Sequence, residues 1–299
     1  MADNKYGEHV KTLSFADCGK GYYRHGVIMD KEFLGLDVHV QYGTFWTAGR
    51  IGEEPYVPHV NDFDQVMVFM GADTTELSDL GAEIELCLGE EMETFMITTA
   101  TAVAVPKGLP HMPAKINRLD KRFIFIVISN TSKYEYELLE TDNKPTPPVA
   151  ARTSKYGKNV IPLQFRRKGA WYYGAENRDD AGGQITFVRT NDAGINFTMI
   201  YECIKKGPYR IGPKPDKPHA HANPQVMLFL GTDTDNLNDL GAEFEICLGK
   251  EEERHVFTNS TAVVTPPYLP HWPGGVTKLT RPIIMADIHP TGDSQVSSF

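Results

Sequence analysis

Apolar residues fall along this chain in short runs rather than at helical spacing. Residues 33–46, 66–70, 84–88, 101–105 and 123–128 form alternating or continuous apolar stretches, separated by Gly, Pro, Asn and Asp. Alternation with period two, and short apolar blocks bounded by turn residues, predict β-strands. Recurrence at i, i+3, i+4 and i+7 is nearly absent. The pattern therefore predicts an all-β chain of sandwich or barrel type with few short helices.

The pattern also occurs twice. Residues 65–89, QVMVFMGADTTELSDLGAEIELCLG, match residues 225–249, QVMLFLGTDTDNLNDLGAEFEICLG, at 17 of 25 positions with a constant offset of 160. The same offset joins Arg50-Ile51-Gly52 to Arg210-Ile211-Gly212, His59 to His219, Leu109-Pro110-His111 to Leu269-Pro270-His271, and Pro113 to Pro273. Towards the start the offset is 150: Tyr22-Tyr23 matches Tyr172-Tyr173, and Val10, Leu13 and Phe15 match Val160, Leu163 and Phe165. The second half has thus gained about ten residues, assigned to a loop around 177–194. Between the halves, TDNKPTPPVAAR at 141–152 carries three prolines in four positions, which excludes a helix interior or a central strand. It reads as a linker between domains spanning 1–142 and 153–299.

Composition narrows the partners. With 41% hydrophobic and 23% charged residues the chain can bury a sizeable core. A formal charge of −9 and a pI near 5.6 oppose nucleic acid as main partner, because that contact needs clustered Lys and Arg. No apolar run approaches the ~18 residues of a membrane span, and the polar start has no apolar signal core. A cytoplasmic location is the default expectation. Cys18, Cys87, Cys203 and Cys247 form no close pair, and read as small buried hydrophobes.

The sharpest local feature is Pro218-His219-Ala220-His221-Ala222-Asn223-Pro224-Gln225. Histidines one residue apart on a strand present both imidazoles on the same face. Gln225 could add an amide oxygen from the next strand across a short turn, and His271 sits in the stiff segment Pro266-Pro267-Tyr268-Leu269-Pro270-His271. Three imidazoles and an oxygen suit one divalent transition metal, Fe, Mn, Ni, Cu, Co or Zn, better than Mg or Ca.

The order Gly212, His219, His221, Gln225, Gly231 and then His271 resembles the two motifs of the cupin superfamily, G(X)5HXH(X)3–4E(X)6G and G(X)5PXG(X)2H(X)3N. The first half carries the second motif more faithfully, with Pro106-Lys107-Gly108-Leu109-Pro110-His111 fitting PXGXXH. Together the halves resemble a bicupin, which implies two tandem jelly-roll β-barrels. Departures are specific. Gln225 stands where the family has Glu, Tyr268 replaces the motif glycine, Gly212 lies one residue too far from His219, and Gly231 one too near Gln225. Without a carboxylate ligand the metal charge is less neutralised, which leaves room for an anionic substrate. In the first half the aligned residues are His59, Asn61, Gln65 and His111. Two imidazoles and two amides make a poor transition-metal site, so the first barrel reads as a degenerate copy, structural or weakly metal-binding.

Glu243 and Glu245, repeated as Glu83 and Glu85, alternate with apolar residues. Such a strand has a solvated acidic face and an apolar core face; turned the other way, Glu245 would be a general base or a fifth metal ligand in the lumen. Arg210, which precedes the ligand strand as Arg50 does in the first half, could bind a substrate carboxylate or form a structural salt bridge.

The expected function is a metal-dependent enzyme acting on a small, anionic organic acid or phenolic or enolic compound in the second barrel. Dioxygenase chemistry comes first, because an open three-histidine site favours substrate and O2 side by side. A decarboxylase or isomerase using an acid or base such as Glu245 is the alternative, and a non-catalytic small-molecule-binding bicupin is a third reading. Homo-oligomerisation stays open, since two fused barrels mimic a dimer of single ones.

Overall fold

The computed structural model describes residues 4–19, 21–52, 54–166, 183–211, 218–292 and 296–297. Gly212, Tyr172-Tyr173 and the first part of the assigned insertion loop, 177–182, lie outside the described residues. Helix within them is limited to Lys31–Leu34 and single 3-10 turns, and the rest of the regular structure is antiparallel sheet. None of these helices is long and apolar enough to cross a membrane.

The chain divides into two compact units. One comprises Phe15–Gln164 with Arg189–Ile195; the other comprises Met1–Ser14, Phe165–Val188 and Asn196–Phe299. In the first unit two six-stranded sheets enclose the core. The central strands Gln65–Gly71 and Phe123–Ser129 are buried at every position, as expected of strands that read as continuous apolar runs. Asp79–Leu88 instead alternates, with Leu80, Ala82, Ile84 and Leu86 turned into the core and Glu83 and Glu85 facing away. The second unit repeats the plan with Gln225–Gly231 and Ile283–His289 at the centre of its six-stranded sheet, and Phe244, Ile246 and Leu248 facing its core.

The unit boundaries differ from the contiguous spans expected from the sequence, because the arms are exchanged. Val10–Thr12 pairs with Thr261–Thr265, whereas Val160–Pro162 pairs with Thr101–Val105. Each barrel therefore takes an edge strand from the segment preceding the other barrel in sequence. The two arms dock alike. Lys5 and Tyr6 both bond Glu251, at 2.7 and 2.8 Å, and Lys155 and Tyr156 both bond Glu91, at 3.0 and 2.5 Å. Gly89 and Gly249, at φ +79° and +75°, pack against the Tyr156 and Tyr6 rings so closely that a Cβ would collide with either. These two positions need glycine for the left-handed backbone and for the close approach.

Candidate metal centre

Three histidines meet in the second unit. His219 and His271 exchange both backbone hydrogen bonds across an antiparallel bridge, His219 N–H to His271 C=O at 3.1 Å and the reverse at 2.9 Å. That pairing puts their side chains on one face. His221, two residues along, lies on the same face by strand alternation, held by its carbonyl, which accepts from Tyr268 N–H at 2.8 Å. The ring centroids lie 4.4 Å (His219 to His271), 5.1 Å (His219 to His221) and 5.2 Å (His221 to His271) apart. Their ligand nitrogens all lie within 4.8 Å of one another. Nitrogens about 2.1 Å from a shared ion stand roughly 3.0–3.4 Å apart, so small side-chain rotations close the set.

The hydrogen bonding of His271 tests whether the site fits a metal. Its Nδ1 faces the Leu269 carbonyl at 3.0 Å, which fixes the proton on Nδ1. Nε2 is thereby left as a bare acceptor, buried and without a partner among the described residues. An orphaned imidazole nitrogen in a side chain only 1% exposed is costly unless something binds it, and a carbonyl on the opposite nitrogen is how metal-ligating histidines are oriented. Burial, reinforced by the charges of neighbouring His221, holds His219 down at about 4, and burial with the nearby His219 takes His271 well below the ordinary histidine value. His219 and His271 are therefore neutral near pH 7, the form that ligates.

Gln225 is placed differently from the ligand expected of it. Its Nε2 donates to Asp287 Oδ1 at 2.7 Å, and its Oε1 accepts from Thr265 Oγ1 at 2.9 Å. A carboxylate can only accept, so the amide nitrogen must face Asp287. Both ends of the amide are thus engaged in the second rank of the site. Asp287 and His289 are the residues that sequence reasoning missed. His289 Nε2 lies 3.2 Å from Asp287 Oδ1, and its fully buried ring is 5.0 Å from that of His221. Burial alone would raise the Asp287 carboxyl, but His289, the Gln225 amide and His221 outweigh it and hold it at about 2. The signal was present: Ile283–His289 reads IIMADIH, and two polar residues at period two inside a buried strand share one face. At the offset of 160 the first half has Val127 and Ser129 there.

Glu245 and Arg210 are not brought to the triad. Leu248 is directly opposite His271, so the face of Asp239–Leu248 that carries Phe244, Ile246 and Leu248 is the histidine face, and Glu245 projects from the other. There it bridges two arginines, Arg210 Nη1 at 2.6 Å and Arg254 Nη2 at 2.5 Å. Burial opposes ionisation, but hydrogen bonds from Arg254 and Arg210 prevail and lower its pKa. The expected general base and substrate clamp are geometrically an ion-pair cluster on the reverse of the sheet, for the parity reason that had favoured a solvated acidic face.

In the first unit His59 and His111 pair in register with rings 4.2 Å apart, and His111 Nδ1 again faces a carbonyl, that of Leu109, at 3.0 Å. The amides are spent on each other and on a tyrosine: Asn61 Nδ2 donates to Gln65 Oε1 at 2.9 Å, and Gln65 Nε2 to Tyr134 Oη at 2.7 Å. Among the described residues, the group of three or more His, Cys, Asp or Glu able to hold a metal is the triad of the second unit.

No protein-family model matches the chain, and a search by sequence finds no match among curated proteins. Solved structures do match. A formate complex of oxalate decarboxylase from Lactobacillus farciminis superposes with a TM-score of 0.57 at 10% identity, covering 92% of this chain and 83% of that one. Oxalate decarboxylase from Bacillus subtilis at pH 4.6 gives 0.58 at 9%, covering 92% and 74%. A structure of the same enzyme from a study of its Mn(II) centres gives 0.57 at 9%, covering 92% and 75%. At such identity the likeness establishes the fold, that of a two-domain cupin.

Proposed function

We propose that this cupin-fold chain is a metal-dependent decarboxylase of a small carboxylic acid, with its chemistry confined to the second barrel. The observation that carries the reading is the triad of His219, His221 and His271, whose ligand nitrogens lie within 4.8 Å of one another and whose His271 keeps a bare, buried Nε2, next to a buried Asp287–His289 pair. The fold likeness to oxalate decarboxylases moves the weight from the dioxygenase expected first to the decarboxylase alternative.

His219, His221 and His271 would hold the ion. When bound, a divalent transition metal supplies Lewis-acid polarisation of a carboxylate oxygen and accommodates negative charge as CO2 leaves. The remaining work falls to the chain. Loss of CO2 breaks a C–C bond and leaves its electron pair on the retained carbon, which must then take a proton. The Asp287 carboxylate is kept anionic by its partners, and the Asp287–His289 pair, beside the His221 ring, is the group placed to deliver that proton. Gln225 fixes the Asp287 carboxylate through the 2.7 Å bond, and Thr265 fixes Gln225. Buried Trp272, its ring 6.0 Å from that of His219, covers one side of the triad.

The test has two parts. Metal per chain is measured on protein purified without chelator, for the parent and for His271→Ala; about one equivalent of Fe, Mn, Ni, Cu, Co or Zn, lost in the variant, is expected. The metal-loaded parent is then offered oxalate and other two- to four-carbon acids, following CO2 release and O2 uptake together. CO2 without net O2 consumption supports the proposal. Stoichiometric O2 uptake would return the site to dioxygenase chemistry.

A further inference from the structure

A cavity of about 560 Å3 lies in the first unit, not at the histidine triad. Its size falls in the range that encloses a small organic molecule. Tyr23, Phe45, Met67, Phe125 and Val127, each less than a tenth exposed, form its apolar walls. Ile28, Tyr136 and Leu138 also line it, and these are among the few large hydrophobics of the described chain that are exposed, at 52%, 47% and 45%. An open apolar rim that continues into an apolar interior is a path for an apolar ligand. The barrels differ in how they fill this position: Met112 lines the cavity where the second barrel buries Trp272.

The polar groups in the cavity state what the ligand must offer. The His111 ring has its proton on Nδ1, facing Leu109, and its Nε2 is a bare acceptor, buried and without a partner among the described residues. It needs an O–H or N–H donor. Tyr134 Oη accepts from Gln65 Nε2, so its own hydrogen is available to a ligand oxygen. Charge is lacking: among the described lining residues there is no Lys, Arg or Asp, and the single carboxylate, Glu54, is exposed. The Asp287 and His289 positions of the second barrel are Val127 and Ser129 here, which removes the acid pair and leaves His59, His111 and the amides of Asn61 and Gln65, which bond each other and Tyr134, while the third lining imidazole, His39, is engaged at Nε2 by Gln41 at 2.9 Å. An anion would find no countercharge and a metal ion too few ligands.

We propose that the first barrel is a metal-free binding site for an uncharged, ring-sized molecule carrying a hydroxyl group, of the phenol class, whose hydroxyl donates to His111 Nε2. The site needs no metal and stands whether or not the second barrel is a decarboxylase.

Isothermal titration of the full chain, stripped with chelator, tests this with four probes: p-cresol, its methyl ether, toluene and 4-hydroxybenzoate. One p-cresol per chain is expected, with the other three at least tenfold weaker because they lack the donor or carry a charge. His111→Leu should weaken p-cresol at least tenfold while leaving toluene within threefold, a pattern that general loss of packing does not produce. Val127→Phe, which fills the cavity, should abolish binding of both. His271→Ala, in the other barrel, should bind p-cresol like the parent. Absence of saturable p-cresol binding overturns the proposal, as does binding lost in His271→Ala. So does a second metal equivalent in the loaded parent that His111→Leu removes.

Discussion

Acid should destabilise this protein well above the range where carboxylates titrate, and His111 shows why. Its side chain is 1% exposed, and burial, together with neighbouring His59, takes it from 6.5 to about 3. A depressed folded-state value means that the stabilisation is fully present above 6.5 and is lost as pH falls towards 3, because the unfolded chain binds a proton that the folded chain refuses. Between pH 7 and pH 5 the size of the loss depends only on the unfolded value, since the folded site stays neutral throughout. One and a half pH units below 6.5, at about 1.4 kcal/mol each, amount to about 2 kcal/mol for this one ring. Metal-free parent and His111→Gln, unfolded in urea at pH 7 and pH 5, give the double difference directly. The glutamine variant should be less stable than the parent at pH 7, and the gap should narrow by about 2 kcal/mol at pH 5. Contributions from His59, His219 and His271 occur in both proteins and largely cancel. Parallel loss of stability in the two proteins would refute the reasoning, because His111 would then be titrating as an exposed histidine.

Glu245→Gln should keep turnover within threefold, since the carboxylate serves the Arg210 and Arg254 cluster on the reverse of the sheet; a hundredfold loss of kcat would restore it as a general base. Gln225→Leu removes a donor from buried Asp287 and should lower the unfolding free energy by about 1–3 kcal/mol while metal stoichiometry in excess metal stays at the parental value. A drop to the level of His271→Ala would make Gln225 a ligand after all. Asp287→Asn should retain metal and lower CO2 release at least a hundredfold, read by gas analysis on the loaded enzyme. Tyr6→Ala should lower the temperature at which metal is released, and Tyr156→Ala should not, because their rings seat against Gly249 and Gly89 of different barrels.

Much of this was readable in the sequence, for local reasons. The repeat at an offset of 160, the strand runs and the His219-Ala220-His221 pair depend on spacing alone, and spacing survives folding. Other features depend on which faces meet. The parity of Glu243 and Glu245 established that they share a face, but the direction of the lumen became known only when His271 was found opposite Leu248. Gln225 could be placed on the ligand strand, yet the orientation of its amide is dictated by Asp287, 62 residues away. Asp287 and His289 sat inside an apolar run and were passed over with it. The first-barrel cavity could not be read at all, because a void is set by what several strands fail to fill, as Met112 does where Trp272 stands in the repeat. The match of Val10 to Val160 at an offset of 150 was visible, but not which barrel each arm would join.

The exchanged arms impose an order on biosynthesis. Val160–Pro162 leaves the ribosome soon after the strands of the first barrel, so the sheets of that barrel can form while the rest is still being translated. The second barrel inherits the opposite schedule. Its edge strand, Val10–Thr12, is made first and must wait for Thr261–Thr265, roughly 250 residues later, or about 12–50 s at 5–20 residues per second. During that interval the strand is an unpaired β-edge, a ready target for chaperones or for a neighbouring nascent chain. Under the proposed function, acquisition of metal at the His219, His221 and His271 triad, which needs the finished second barrel, comes last.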